Sequence, residues 1–164
     1  MAAWGADANY TRLVREQGST LLRLAVMLTG NRHDAEDAVQ DVLISVASAW
    51  PLTRPMPYLK KAVANRCIDL IRKRHEIPVE IMPDAGVADK GFLRHEEARR
   101  FFELLQDLPP RQRQTLVLRY QFDLSDGAIA KMLGISVATV RSQAQHALRK
   151  LRSNEFVTSG KDKP

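Results

Sequence analysis

Apolar residues recur at helical spacing along the chain, and no window alternates at period two. From Leu13 to Leu28 the positions Leu21, Leu22, Leu24, Ala25 and Leu28 predict one helix. It should stop at Thr29-Gly30-Asn31, where glycine accepts the left-handed C-cap conformation. A second helix is expected from about Asp34 to Ala49, ending before Pro51. Pro51, Pro55 and Pro57 predict a stiff turn, followed by a third helix from Tyr58 to about Arg74. Further along, Glu96–Leu105 reads as a helix. Leu108-Pro109-Pro110 breaks it and starts the next, which runs to about Tyr120, because proline is tolerated in a first turn. Two more helices follow, separated by Gly134. The expected fold class is all-α.

The pattern lapses once. Residues 77–95 contain two prolines and two glycines and hold no sustained helical period, which marks a flexible linker. The chain therefore divides into two small helical domains, 1–76 and 96–152, with a short polar tail at 153–164 expected to be disordered. Domains of this size have thin cores, so partner binding adds to their stability.

Composition narrows the function. Hydrophobic residues make up 45% and charged residues 27%, which fits a folded globular protein. Cys67 is the only cysteine, excluding intramolecular disulfides and any cysteine-based zinc cluster. His33, His75, His95 and His146 are scattered, so no metal and no cofactor are expected. No apolar run reaches the roughly 18 residues of a membrane span, and Trp4–Asp7 breaks any signal-peptide pattern. A cytoplasmic protein without membrane insertion is expected. The formal charge of +6 is compatible with a nucleic-acid partner, but its distribution says more.

In Asp34-Ala-Glu-Asp-Ala-Val-Gln-Asp-Val-Leu43, a helical wheel puts Ala35, Ala38, Val39, Val42, Leu43 and Val46 on a core-facing arc. Asp34, Asp37 and Asp41 line the opposite side, with Glu36 and Gln40 flanking the arc. Such a stripe is either a solvated helix face near the positive end of the dipole or a docking surface for a basic protein. Metal binding lacks the second carboxylate cluster or histidine needed to complete a shell.

The segment Tyr58–Arg74 is its cationic counterpart. Leu59, Val63, Ala64, Cys67, Ile68, Leu70 and Ile71 share the apolar side, and Lys61, Asn65, Arg66, Asp69, Arg72 and Lys73 the other. Lys60 and Arg74 fall on the apolar side at the helix ends, where long side chains reach water. From Lys60 to Arg74 six bases face the single acid Asp69, a net +5 that should attract phosphates. Capping a helix C-terminus needs fewer cations. Asn65 is a poor helix former in mid-helix, which leaves a specific contact or a plain surface residue open. Cys67 reads as a small core residue.

Residues 124–148 carry the strongest signal. Ser125 can N-cap a short helix with Ile129, Ala130 and Leu133 inside, Gly134 supplies a sharp turn, and Ile135 is expected as a buried joint. Ser136 can N-cap a following helix whose inner arc is Val137, Val140, Ala144, Ala147, Leu148 and Leu151. Thr139, Arg141, Ser142, Gln145, His146, Arg149 and Arg152 lie outside it. This is the pattern of a helix-turn-helix whose second helix enters the major groove. Gln145 suits an adenine edge and Arg141 a guanine or a phosphate, while Ser142 discriminates less. Arg149, Lys150 and Arg152 suit phosphates.

Together these residues resemble the small bacterial sigma factors of the extracytoplasmic-function (ECF) group. Region 2 of that family is matched by Asp34–Asp41 and by Tyr58-Leu59, Ala64-Asn65, Ile68-Asp69 and Arg72. Region 4 is matched by Leu108-Pro-Pro-Arg-Gln-Arg113, Ile129-Ala130, Leu133-Gly-Ile-Ser136, Thr139-Val-Arg-Ser142 and Ala147-Leu-Arg-Lys-Leu-Arg152. The ending of the second helix looks closest to an actinobacterial branch. The resemblance implies a region 2 bundle and a region 4 helix-turn-helix joined by the linker. It implies binding to core RNA polymerase, at the β′ clamp helices through Asp34, Glu36, Asp37, Gln40 and Asp41, and at the β flap. Lys60, Lys61, Asn65, Arg72, Lys73 and Arg74 would hold the -10 promoter element, with Asn65 beside the pocket for a flipped base. Thr139, Arg141, Ser142, Gln145, His146 and Arg149 would meet the -35 element. An anti-sigma factor is a further implied partner.

Departures from the family are the short proline-rich loop 51–57, Gly127 in place of a glutamate, and Gln145 and His146 in place of larger or more basic residues. Gly127 is expected to weaken its helix. The alternative is an autonomous helix-turn-helix regulator dimerising through 1–76, which leaves the acidic stripe and the +5 helix without matched roles. An enzyme acting on nucleic acid lacks a nucleophile–base pair, a phosphate-cradling glycine loop and a metal cluster. No catalytic residue is assigned.

Overall fold

The computed structural model describes residues 7–76 and 96–159, with side chains at 7–74 and 99–154. The chain divides into two compact units, with the boundary between Asp89 and Lys90. The linker assigned to 77–95 lies outside the described residues. Seven α-helices occupy the described residues, without a strand.

The first unit is a bundle of three helices, α1 (Ala8–Thr29), α2 (Arg32–Ala49) and α3 (Pro55–Glu76), each packed on the other two. Asp7 caps α1 by accepting the Asn9 N–H at 2.8 Å. Gly30 ends it at φ 68°, where its N–H reaches the Val26 carbonyl. One residue later Asn31 caps α2 by accepting the Asp34 N–H at 3.0 Å, so the helix starts two residues before the acidic segment. The core is aliphatic: Leu21, Leu24 and Leu28 of α1 meet Ala35, Ala38, Val42 and Val46 of α2 and Leu59, Val63 and Ile68 of α3, all buried. The fully buried alanines 35 and 38 leave room for neighbouring helices to approach. Tyr10 fastens the start of α1 to the end of α2, donating to the Leu43 carbonyl at 2.6 Å and meeting the Trp50 ring edge-on at 5.6 Å.

Two expectations need correction here. Pro55 and Pro57 belong to the first turn of α3 rather than to the turn before it. First-turn N–H groups have no intrahelical acceptor, so proline removes nothing there. Leu70 and Ile71, placed on the apolar side, are only half-buried.

The second unit comprises α4 (Glu96–Gln106), α5 (Pro110–Leu116), α6 (Asp126–Leu133) and α7 (Val137–Ser159). α5, α6 and α4 each pack on α7, around Leu105, Leu116, Leu118, Phe122, Ile129, Val140, Ala144 and Ala147. The helix expected to reach Tyr120 departs from α geometry at Val117–Gln121, a π-helical turn in which the Phe122 N–H reaches the Val117 carbonyl at 3.1 Å. The wider turn buries Phe122, and its Arg119 reaches Asp126 of α6. Arg111, in the segment after the double proline, donates to the Leu133 carbonyl at 3.4 Å and so ties α5 to the end of α6.

Ser125 and Ser136 cap α6 and α7 as expected, accepting the Ala128 and Thr139 N–H groups at 3.2 and 3.1 Å. Gly134 turns the chain at φ 66°. Ile135, however, is half-buried, and Val137 is 36% exposed, because α7 buries only from Val140 onward. Leu148 and Leu151 are half-buried too. α7 also continues to Ser159, so the first part of the segment read as a tail is helical. No glycine or proline interrupts it before Gly160, and residues 160–164 lie outside the described residues.

The two glycines of this motif should respond oppositely to alanine. A Cβ on Gly127 would meet only the Ser125 hydroxyl at 4.0 Å, so Gly127→Ala is expected to raise stability by about 0.5–1 kcal/mol. Gly134→Ala must accept a positive φ and should lower stability by at least about 1 kcal/mol. Urea unfolding of the full chain checks both, and a stabilised Gly134→Ala would refute the account of the turn.

Candidate functional site

The acidic segment does not stand as one stripe. The Asp34 carboxylate accepts from Arg74 Nε at 2.8 Å, and only 12% of its side chain is exposed. It therefore sits low on the bundle surface, joining the start of α2 to the end of α3. A wheel assigns direction from spacing alone and could not see that Arg74, one α3 length away, folds back onto it. Arg74, 26% exposed, is committed to this pair. Asp41 accepts from Arg66 at 2.9 Å with half of its side chain exposed. Exposed pairs of that kind contribute well under about 1 kcal/mol, so Asp41 can exchange Arg66 for another cation cheaply. Glu36 pairs with Arg32 at 2.9 Å and Asp37 with His33 at 3.5 Å, both on the outer face. Gln40 is exposed.

Beside these groups lies an open groove of about 640 Å³ between α1 and α2. Tyr10, Val14, Leu22, Val39, Leu43 and Ile44 supply its apolar walls, and Glu36, Gln40 and Arg15 its polar members. Leu43, expected in the core, is half-buried here, and Ile44 is 56% exposed. Sequence reading missed Ile44; its signal was a large aliphatic residue next to the core arc rather than on it.

On α3 the exposed residues Tyr58, Lys61, Asn65, Asp69 and Arg72 follow one another at three- and four-residue spacing, with Lys73 beside them. Asn65 thus stands on the outer line and not in the core. Tyr58, 52% exposed at the head of this line, is a further residue the sequence reading passed over. Its spacing from Lys61 and Asn65 was the available clue. Lys60 is half-buried.

Cys67 is fully buried behind this face. Burial, and secondarily the Asp34 carboxylate, push its thiol up to about 12 against the opposing pull of Arg66. The native state thus disfavours the thiolate. Its contribution to stability is complete below the unfolded thiol's ordinary range and is lost as pH rises from there toward 12. Native Cys67 should resist alkylation at pH 8, with modification following the unfolding rate. Reaction at the speed of a free thiol would contradict this burial.

On α7 the exposed residues Arg141, Ser142, Gln145, His146 and Arg149 share one side. Thr139 is half-buried, its hydroxyl 2.8 Å from that of Ser136. Lys150, expected among the phosphate contacts, donates to the Asp107 carbonyl at 2.9 Å and ties α7 to the residue after α4. Arg141 Nε lies 3.4 Å from Asp126 Oδ2, which also accepts from Arg119 at 3.1 Å. Asp126 was not singled out from the sequence. Among the described residues, no group of three or more His, Cys, Asp or Glu is placed to hold a metal ion, and no helix is long and apolar enough to cross a membrane.

A three-helix bundle with acidic and basic outer faces, together with a helix-turn-helix, fits a bacterial promoter-specificity factor, the class that two family matches establish. Sigma-70 region 2 matches residues 13–77, and Sigma-70, region 4 matches residues 98–151. The RNA polymerase sigma-E factor of Streptomyces avermitilis is 31% identical over 92% of this chain and 87% of its own length. The ECF RNA polymerase sigma factor SigE of Mycolicibacterium smegmatis is 31% identical over 90% of this chain and 62% of its own length. Among solved structures, RpoE of Bartonella quintana, in complex with the anti-sigma factor NepR, superposes with a TM-score of 0.53 at 22% identity. That match covers 87% of this chain and 96% of the other, and shows the fold. The chain belongs to the ECF sigma factors, non-enzymatic proteins that bind core RNA polymerase and direct transcription initiation.

Proposed function

We propose that the first unit docks on the β′ clamp helices of core polymerase through Asp37, Gln40 and Asp41, with Glu36 at the margin. The observation that carries this is the setting of those side chains, beside an apolar groove between α1 and α2. Two contact types are then available to one partner. Its basic residues meet the exposed carboxylates, which give up only weak surface pairs. Its apolar residues enter the groove beside Leu43 and Ile44. An anti-sigma factor covering the same groove would block polymerase by occupancy alone. The β flap is assigned to the second unit.

Promoter DNA takes the outer faces of α3 and α7. Lys61, Arg72 and Lys73 supply phosphate contacts along the -10 element, with Lys60 at the edge of this face. Asn65 meets an unstacked base, and Tyr58 offers a ring on which a neighbouring base stacks. In α7, Arg141, Ser142, Gln145 and His146 read the -35 element, with Thr139 at the cap and Arg149 on phosphate. Both outer faces oppose buried apolar arcs, which supports this division between core and contact residues.

Core binding by the full chain tests the polymerase surface. Asp37→Arg combined with Gln40→Ala is expected to weaken core binding by at least about tenfold while leaving thermal stability unchanged. Asp34→Asn should do the reverse, lowering stability by about 2 kcal/mol through loss of a charged hydrogen bond. Undiminished binding by the double variant would refute the docking assignment. Run-off transcription with the reconstituted holoenzyme on a genomic library yields the promoters. Arg72→Ala with Lys73→Ala should reduce transcripts from all of them and flatten the salt dependence of open-complex formation.

A further inference from the structure

We infer that Asp126 is a positioning residue for promoter specificity, holding Arg141 in its base-reading orientation. The inference rests on the reading of α7 as the -35 recognition helix and adds to it a residue outside that helix.

Asp126 is the first residue of α6, and 18% of its side chain is exposed. A single oxygen, Oδ2, faces two cations: Arg119 Nη2 at 3.1 Å and Arg141 Nε at 3.4 Å. Arg119 comes from the π-helical turn and lies 5.8 Å over the Tyr120 ring, so the carboxylate has a partner outside α7 as well. Arg141 itself is 67% exposed.

The chemistry of the guanidinium gives this contact its meaning. An exposed arginine loses rotamer entropy when DNA fixes it, and a contact that orders it beforehand reduces that cost. Engaging Arg141 through Nε also selects which edge faces outward. The two terminal nitrogens remain for the base, and they match the O6 and N7 acceptors of guanine. An arginine without this anchor can swing to the backbone and bind a phosphate, which carries no sequence information.

Stability does not account for the Arg141 contact, since Arg141 is 67% exposed and ion pairs to exposed partners contribute little. Affinity does not account for it either. A carboxylate on a DNA-facing surface repels phosphates, so Asp126 opposes general DNA binding. Its benefit lies in discrimination between base pairs. That gives the role a signature with two opposite signs: Asp126→Asn should lose specificity while keeping or raising affinity for DNA of the wrong sequence.

The test uses holoenzyme assembled from the full chain and core polymerase, bound to promoter duplexes with each base pair of the -35 element replaced in turn. Arg141→Ala is expected to abolish discrimination at one base pair, normally about 5- to 150-fold for a guanidinium–guanine contact. Asp126→Asn should reduce discrimination at that same base pair at least threefold, leave the other positions unchanged, and bind the replaced duplexes as well as or better than the parent. Added to Arg141→Ala, it should change nothing further. Full discrimination in Asp126→Asn, a uniform loss over all positions, or an added loss in the double variant would each overturn the inference. If Arg141→Ala alters no position, the reading of Arg141 as a base contact fails first, and this result is distinguishable from the others.

Discussion

The first unit depends on the ion pair between Asp34 and Arg74. It joins the first turn of α2 to the last described turn of α3, at a depth where a carboxylate left alone would be costly. Apolar packing brings three helices together but tolerates small rotations about each axis. A paired charge at the ends of two helices fixes their relative rotation more tightly than aliphatic contacts do. That rotation decides which residues of α2 and α3 face outward. The exposed carboxylates of α2 and the line from Tyr58 to Arg72 stand on the two helices that this pair joins.

The same residue types do different work at different depths. Asp34, Asp37 and Asp41 follow one another at three- and four-residue spacing, and the wheel treats them alike. In the fold, one is committed to the bundle and two keep exposed pairs. The cations of α3 divide likewise. Arg74 is held by Asp34 and Arg66 by Asp41, while Lys61, Arg72 and Lys73 point outward. The net +5 of Lys60–Arg74 and the stripe of three aspartates therefore each include groups already paired within the unit.

Much of this was legible in the order of residues. The caps at Gly30, Ser125, Gly134 and Ser136 are local, since each is decided by a few adjacent residues, and each appears where its chemistry required. The buried arcs of α2 and α3 followed from the 100° period through Val42 and Ile68. The misses were non-local or concerned ends. Whether Asp34 meets Arg74, or Lys150 the Asp107 carbonyl, depends on chain separations that no periodicity encodes. Pro55 looked like a breaker and proved to be a first-turn residue. The π-helical turn left no mark on spacing, because an apolar run such as Leu116-Val-Leu118 buries in either geometry. Arg119, inside that turn, and Asp126, beyond it, consequently gave no sign of sharing a contact.

The length of α7 has a mechanical consequence. Its 23 residues span about 34 Å, nearly three times the roughly 12 Å width of a major groove. Under the proposed reading its first turns lie among base edges, and the far end reaches beyond the width of one groove. Lys150 grips that far portion against the end of α4, so a push on the far end is passed along a stiff rod to the turns carrying Arg141 and Gln145. On the proposed reading, a partner holding the far portion acts on those turns without touching DNA.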